Sequence, residues 1–346
     1  MTRESQIKNF LQTNNLWQAE RQQISGDASF RRYERLFDAG KSYILMDAPP
    51  TKEDVPSFIN IATFLRRKGF SAPEIYANDL ENGLLLIEDL GEDSYTALLS
   101  GRSRLSKKYT EEELYISAIE VLVQIGKLAL PRKLPPPYSN EMMMKECQLL
   151  SDWYLPNVCP SHANDKVKTE YFAIWQELLN YKKICEDVLV LRDYHADNLL
   201  WLPDRVREKR IGLLDFQDAV IGSPIYDIVS LLEDARRDVS KEVVHNAIKF
   251  YLDSQNVIKK SEFMEVYNIL AAQRNCKIIG IFSRLAVRDN KPNYLSFIPR
   301  VWGHLQSDIE HPTLKPLKKW LDENIPVDIR GVDSFKLPQV QGVTNG

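Results

Sequence analysis

Apolar positions recur along this chain with two different periods, and the change between them divides it. Up to about residue 90 the apolar segments are short and mostly alternating. Residues 7–17 read as a short amphipathic helix. The turn-forming cluster Ser25-Gly26-Asp27-Ala28-Ser29 leads into Phe30-Arg31-Arg32-Tyr33-Glu34-Arg35-Leu36-Phe37, which predicts a strand, a tight loop and a strand. Residues 42–47 form the next predicted strand, ended by Ala48-Pro49-Pro50 because proline cannot donate to a ladder. Phe58, Ile61, Ala62 and Leu65 fall at i, i+3, i+4 and i+7, so a helix is predicted over 54–68 with Gly69 as its stop. Strands follow at 74–78 and 84–88. Beyond Glu88-Asp89-Leu90-Gly91 the helical period dominates, and helices are predicted over 111–130, 141–155, 169–186, 226–238, 241–253, 261–289 and 292–309. The tail from Val327, rich in Gly, Pro and polar residues, reads as loosely ordered.

This order predicts an α+β chain. Residues 1–90 form a small, mainly antiparallel sheet lobe with one helix, assigned to nucleotide binding. Residues 91–330 form a larger, mostly helical lobe for catalysis and acceptor binding, and 331–346 are a tail. A sheet lobe, a short hinge and a helical lobe make a protein-kinase-like two-lobe fold. Glu88 to Gly91 is the expected hinge, where backbone groups of Glu88 and Leu90 would bond an adenine edge.

Composition narrows the function classes. With 346 residues and 44% hydrophobic content the chain can bury a sizeable core. A net charge of −3 gives no general basic field for nucleic acid. Cys147, Cys159, Cys185 and Cys276 are widely spaced, with no C-x-x-C pair, which argues against structural zinc and a disulfide framework. There is no run of 18 apolar residues, and residues 1–6 lack the basic and apolar regions of a signal peptide. A soluble cytoplasmic protein with no membrane insertion and no obligate protein partner is expected.

The candidate chemistry lies in Leu191-Arg192-Asp193-Tyr194-His195-Ala196-Asp197-Asn198 and Ile211-Gly212-Leu213-Leu214-Asp215-Phe216. Asn198 follows Asp193 by five positions, and Asp215 follows Asn198 by 17. This is the grammar of H-R-D-x-x-x-x-N followed by D-F-G, with Leu191 for the first His and Gln217 for the Gly. Asp193 would orient an acceptor hydroxyl and take its proton, while Asn198 and Asp215 offer hard oxygens to Mg²⁺ beside ATP. His195 and Asp227 are expected to brace this loop, and Asp218 could reach the metal or the acceptor. Gly26, Asp27, Ala28, Ser29 and Phe30 make the nucleotide loop, whose small residues let backbone N–H groups approach phosphates. The usual strand lysine is absent, since Met46 takes its place, so Arg31 or Arg32 must face the phosphates. At least one of the two is a solvated strand arginine, because strand neighbours point to opposite faces. For the acceptor, Glu233 and Arg236 close the helix after Asp227. Lys277, Arg284 and Arg288 recur as a basic stripe, while Arg274 falls on the apolar line and should point inward.

These residues resemble the aminoglycoside phosphotransferase and choline-kinase branch of the kinase-like fold. The resemblance to bacterial anomeric kinases of N-acetylmuramate and N-acetylglucosamine covers almost the whole chain. It is carried by Asp27-Ala28-Ser29-Phe30-Arg31-Arg32-Tyr33, Met46-Asp47-Ala48-Pro49-Pro50, Leu213-Leu214-Asp215-Phe216-Gln217-Asp218-Ala219, residues 230–238 and Gly280-Ile281-Phe282-Ser283-Arg284-Leu285. It implies ATP-dependent phosphorylation of an amino sugar to its 1-phosphate, feeding peptidoglycan recycling. It also implies that Met46 belongs to a working subgroup, and that Glu233, Arg236, Arg274 or Lys277 could contact the sugar. Two alternatives stay open. One is a kinase of an amino alcohol or aminoglycoside, whose cationic acceptor calls for clustered carboxylates. The other is a catalytically silent nucleotide-binding protein, against which the intact Asp193, Asn198 and Asp215 argue.

Overall fold

Thr2 opens the first helix by accepting the Ser5 N–H, and α1 runs Arg3–Thr13. It starts ahead of the apolar pattern because the cap, not the first buried residue, sets its origin. Asn15 at φ 60° ends it before Trp17. A computed structural model describes residues 2–24, 30–130, 135–255 and 258–337 of the chain. After α1 come β1 (Glu20–Ile24), β2 (Arg32–Asp38), β3 (Lys41–Asp47), α2 (Val55–Arg67), β4 (Ile75–Asp79) and β5 (Leu84–Glu88). The five strands form one sheet in the order β1-β2-β3-β5-β4, antiparallel throughout. One helix crosses from β3 to β4, as the pattern predicts. Asp54 caps α2 by accepting the Ser57 N–H, and Gly69 leaves it at φ 93°, where a side chain would be strained. Ile7, Phe10 and Leu11 of α1 pack with Leu36, Leu45, Leu84 and Leu86 of the sheet in one core.

The chain divides into two compact units, Met1–Pro136 with Val188–Ile221, and Pro137–Asp187 with Gly222–Gly346. The first holds the sheet, α3 (Tyr95–Leu99), α4 (Glu111–Ile125) and two short ribbons. Thr110 and Glu113 cap α4 reciprocally. In the ribbons β6 (Val188–Val190) pairs with β9 (Val220–Gly222), and β7 (Leu199–Trp201) runs antiparallel to β8 (Ile211–Leu213).

The second unit is helical: α5 (Asn140–Leu149), α6 (Leu155–Val158), α7 (Asp165–Leu178), α8 (Ile225–Leu232), α9 (Lys241–Ser254), α10 (Lys260–Val287), α11 (Ile298–Asp308) and α12 (Lys315–Asn324). α10 is its axis, buried through most of its length and packed on α5, α8 and α11. At Gly280 the backbone of Leu149 comes so near that an added Cβ would lie 2.3 Å from its carbonyl carbon. Three expectations are corrected. The helix predicted over 141–155 contains a π-helical turn, Leu150–Tyr154, between α5 and α6. The helix predicted over 226–238 stops at Leu232, because Glu233 leaves the helical region and the Asp234 carboxylate accepts the Arg236 N–H at 2.8 Å. Part of the tail is held: the Gly331 N–H donates to the Tyr154 hydroxyl at 2.8 Å. Among the described residues no helix is long and apolar enough to cross a membrane.

Candidate active site

The register of one ribbon gathers the predicted acidic and amide groups. Leu199 of β7 stands opposite Leu213 of β8. Asn198 and Leu214 therefore leave the same end of the ribbon, and the Leu214 N–H donates to the Asn198 carbonyl at 3.0 Å. Asp215 is the next residue, so the long separation in sequence closes to adjacency in space. Asp193 reaches this end from β6. Arg192 at φ 69° reverses the chain, and the Asp193 N–H then donates to the Leu191 carbonyl at 2.9 Å. The Asn198 side chain locks the loop, with Nδ2 donating to the Asp193 carbonyl at 2.9 Å. Its donor end is thereby spent on the loop, and Oδ1 is the end with ligand chemistry. His195 is buried, with Nε2 3.4 Å from Asn198 Nδ2. Tyr194 anchors the same loop by donating to the Ala118 carbonyl of α4 at 2.8 Å.

Asp215 sits at φ 55°, a left-handed conformation that costs a non-glycine residue about 1–2 kcal/mol. Packing holds it there. Phe216 is fully buried and stacks on Phe58 of α2 with centroids 5.1 Å apart. Gln217 Nε2 donates to Asp215 Oδ1 at 3.0 Å and to Asp218 Oδ2 at 3.1 Å, which places the exposed Asp218 beside the cluster. The Asp215 side chain keeps 44% of its surface accessible. Even so, its dense surroundings raise its pKa above the ordinary carboxylate value. The charge of Asp193 adds to that rise, while Arg31, Gln217 and His195 oppose it.

Arg31 lies just ahead of β2 and Arg32 is its first residue; the former is buried and the latter exposed. The buried Arg31 donates Nε to Glu53 Oε2 at 2.8 Å and Nη1 to Asp215 Oδ1 at 3.3 Å. Burial works against its charge, but Tyr33, Glu53 and Asp215 more than restore it, leaving its pKa above the ordinary value. Arg32 is exposed and lies 3.5 Å from Asp47. Phe30 is exposed too, and its N–H donates to Glu53 Oε1 at 3.1 Å. Gly26, Asp27, Ala28 and Ser29 lie outside the described residues. Met46 is buried in the sheet.

At the end of β5 the Glu88 carboxylate is taken by Arg66 at 2.9 Å and by Arg205. Its backbone, not its side chain, is what the hinge reading needs. Leu90 is buried against Leu200 and Leu202. The buried Arg35 pins this segment through Asp89 at 2.7 Å and Glu92. Arg35 and Glu53 were not legible as site residues, because their partners are far away in sequence and no fixed spacing marks them.

Of the acceptor candidates, Glu233, Arg236, Arg274 and Lys277 fall in the second unit and Asp218 in the first. Asp227 is buried in the first turn of α8. Glu233 follows that helix and is buried, while Arg236 is partly exposed. Arg274 points inward, as its place on the apolar line predicts, and donates to the Glu233 carbonyl at 3.2 Å. Asn275 Nδ2 bridges two buried carboxylates, Glu233 Oε2 at 2.7 Å and Asp308 Oδ2 at 2.9 Å. Burial first, and then Glu233, push the Asp308 carboxyl well above its ordinary range. The basic stripe does not stand as a row of open charge. Lys277 is buried, 3.2 Å from Glu146 and 3.3 Å from the Tyr226 hydroxyl, and Arg288 pairs with Asp289 at 2.7 Å. Glu146 also accepts from Tyr138 and from Gln273 Nε2 at 3.0 Å.

Comparison with known proteins gives the family and the fold. Residues 20–263 match the phosphotransferase enzyme family. A Caulobacter vibrioides protein named N-acetylmuramate/N-acetylglucosamine kinase is 34% identical over 362 aligned positions, covering 95% of this chain and 98% of its own. A Pseudomonas aeruginosa protein of the same name is 34% identical over 308, covering 86% of each. Among solved structures, the choline kinase LicA from Streptococcus pneumoniae superposes with a TM-score of 0.60 at 13% identity, over 90% of this chain and 98% of that one. The ADP-bound aminoglycoside phosphotransferase APH(2'')-Ib gives 0.56 at 15% identity, over 89% and 98%. At such identities the likeness is one of fold.

Proposed function

Because the chain belongs to the phosphotransferase enzyme family, we propose that it transfers the γ-phosphoryl group of ATP to the anomeric hydroxyl of N-acetylmuramate or N-acetylglucosamine. The names of its relatives support the acceptor. The observation that carries the reaction is the meeting of Asp193, Asn198 and Asp215 at one end of the β7–β8 ribbon.

In this reading Asp193 accepts a hydrogen bond from the sugar O1–H and takes its proton as the bond from O1 to the γ-phosphorus forms. The bond from that phosphorus to the β–γ bridging oxygen breaks, giving ADP and the sugar 1-phosphate. Phosphoryl transfer has a loose transition state, so positioning and charge neutralisation lower most of the barrier. Asn198 Oδ1 and the Asp215 carboxylate would hold Mg²⁺. The donor set fits that ion: one amide oxygen and one carboxylate leave its remaining positions to phosphate oxygens and water. When bound, the ion would neutralise phosphate charge. Arg31 is the cation for the phosphates, Arg32 the other candidate, and Gly26, Asp27, Ala28, Ser29 and Phe30 keep their nucleotide-binding assignment. The backbone at Glu88 and Leu90 takes the adenine. Asp218, Glu233, Arg236, Arg274 and Lys277 remain the acceptor candidates, and His195 braces the catalytic loop. The two-lobe division, with its hinge at 88–91, belongs to this proposal. So does a cytoplasmic enzyme whose product enters cell-wall recycling.

The test is ADP release from Mg-ATP with N-acetylmuramate, N-acetylglucosamine, choline and an aminoglycoside in parallel, with ³¹P NMR of the product. An anomeric sugar phosphate that disappears in Asp193→Asn is the expected result. Turnover on the cationic acceptors alone would keep the phosphotransferase and discard the sugar.

A further inference from the structure

Arg31 pairs with a proposed metal ligand, Asp215, and with a second carboxylate, Glu53. The two pairings are unequal. Glu53 receives Nε at 2.8 Å and is itself only 12% exposed, whereas Asp215 receives Nη1 at 3.3 Å and is 44% exposed. A short, shielded, charge-assisted bond is the stronger of such a pair. Glu53 is also fixed from several sides. Its N–H and that of Lys52 both donate to the Pro49 carbonyl, at 3.0 and 2.9 Å, closing the proline turn after β3. Its second oxygen accepts the Phe30 N–H at 3.1 Å, and the Lys52 ammonium lies 4.0 Å from the Phe30 ring centroid. Residues 30–31 are thus strapped to 52–53, and the reach of the guanidinium toward Asp215 is set from the Glu53 end.

Asp215 also feels the charge of Asp193. Two neighbouring carboxylates need a cation, and the guanidinium supplies one. A metal held by Asp215 would compete with that guanidinium for carboxylate oxygens. We propose that Arg31 is a resident counter-ion that gives way. Without nucleotide it neutralises Asp215. When Mg-ATP arrives, Asp215 passes to the metal, and Arg31, kept within reach by Glu53, turns to the phosphate oxygens. Glu53 is then a positioning residue. This rests on the phosphotransferase reading of Asp215 and is independent of which acceptor the enzyme uses.

The competition has a sign that general damage to the site would not produce. We would titrate Mn²⁺ alone, and separately Mg-ATP, into the nucleotide-free full chain by calorimetry, for wild type, Arg31→Gln and Glu53→Gln. Arg31→Gln should bind Mn²⁺ roughly five-fold tighter and Mg-ATP roughly ten-fold weaker. Those are the sizes expected from removing one partly exposed ion pair and one hydrogen bond to phosphate. In Glu53→Gln the guanidinium loses its anchor and goes over to Asp215, so Mn²⁺ should bind about three-fold weaker and Mg-ATP weaker as well. Opposite movements of Mn²⁺ affinity in the two variants are the signature. If Arg31→Gln does not fold, Arg31→Lys replaces it, whose shorter point charge should release Asp215 and also tighten Mn²⁺. Unchanged or weakened Mn²⁺ binding in the folded Arg31 variant overturns the proposal while the enzyme reading stands. A wild-type chain that binds neither Mn²⁺ nor Mg-ATP overturns both.

Discussion

Replacing Gly280 by alanine should loosen the second unit, although alanine is the better helix former. In an open helix the change would gain about 1 kcal/mol, because glycine loses more backbone freedom on folding. At Gly280 the new Cβ meets the Leu149 carbonyl carbon at 2.3 Å and its oxygen at 2.6 Å. Ordinary carbon contacts lie at about 3.5–4.0 Å, so one helix must retreat by roughly an ångström. What it meets is backbone, which cannot swing aside as the end of a flexible side chain can. Overpacking costs about 1–3 kcal/mol, and a backbone collision belongs at the upper end. The net loss is then about 2 kcal/mol, which in a unit of this size lowers Tm by roughly 4–8 °C. Gly303 of α11 supplies the control, since nothing lies within 4 Å of its Cβ position. Gly303→Ala should raise Tm slightly. Thermal unfolding followed by circular dichroism reads both variants. A Gly280→Ala chain as stable as Gly303→Ala would refute the close-approach argument.

Other outcomes follow from burial and charge. The raised Asp308 carboxyl means that the folded chain keeps a proton the unfolded chain releases. Stability should therefore fall as pH rises from the ordinary Asp value of about 4 toward the raised one. Asp308→Asn should flatten that decline; urea midpoints from pH 5 to 8 that fall as in wild type would count against it. Cys147 and Cys276 are buried, and burial raises both thiols, Cys276 to about 12. A thiol reagent should label Cys159 and Cys185 in the native protein and the other two only on unfolding; prompt native labelling of Cys276 would contradict the packing. Phe58→Ala removes the ring on which Phe216 stacks and should cost about 3–5 kcal/mol. It should also reduce kcat, because Phe216 holds the strained Asp215; a destabilised Phe58→Ala enzyme with wild-type kcat would separate the two effects.

The parts of the site legible in the sequence were those whose chemistry is carried by residue type and local spacing. Asp193, Asn198 and Asp215 lie in two short segments, each beside a buried strand, and the structure brings them together. Asp54 and Gly69 were readable as the ends of α2 for the same local reason. Spacing also placed Lys277, Arg284 and Arg288 on one face of a helix, but could not show that Glu146 takes Lys277 and Asp289 takes Arg288. Strand alternation said that Arg31 and Arg32 must diverge without saying which turns inward. That is decided by Glu53, whose position depends on a proline turn after another strand. The end of α8 was missed because residues 233–238 suit a helix in composition, whereas the Asp234 side chain favours a turn. The π-helical turn after α5 leaves no mark in apolar periodicity strong enough to split the segment.

The β7–β8 ribbon separates two kinds of distance that a motif search conflates. The proposed ligands owe their adjacency to a register, Leu199 against Leu213, and the number of residues joining the strands has no part in it. Most of the connection over 203–209 is exposed. A residue added there would lengthen the interval between Asn198 and Asp215 and leave the two groups where they are. A residue added at Leu200 or Gly212 would lengthen the interval by the same one position, yet turn one partner to the opposite face of the ribbon. Relatives with intervals other than 17 can therefore be working enzymes, while a chain with the same interval but a slipped ribbon would not be.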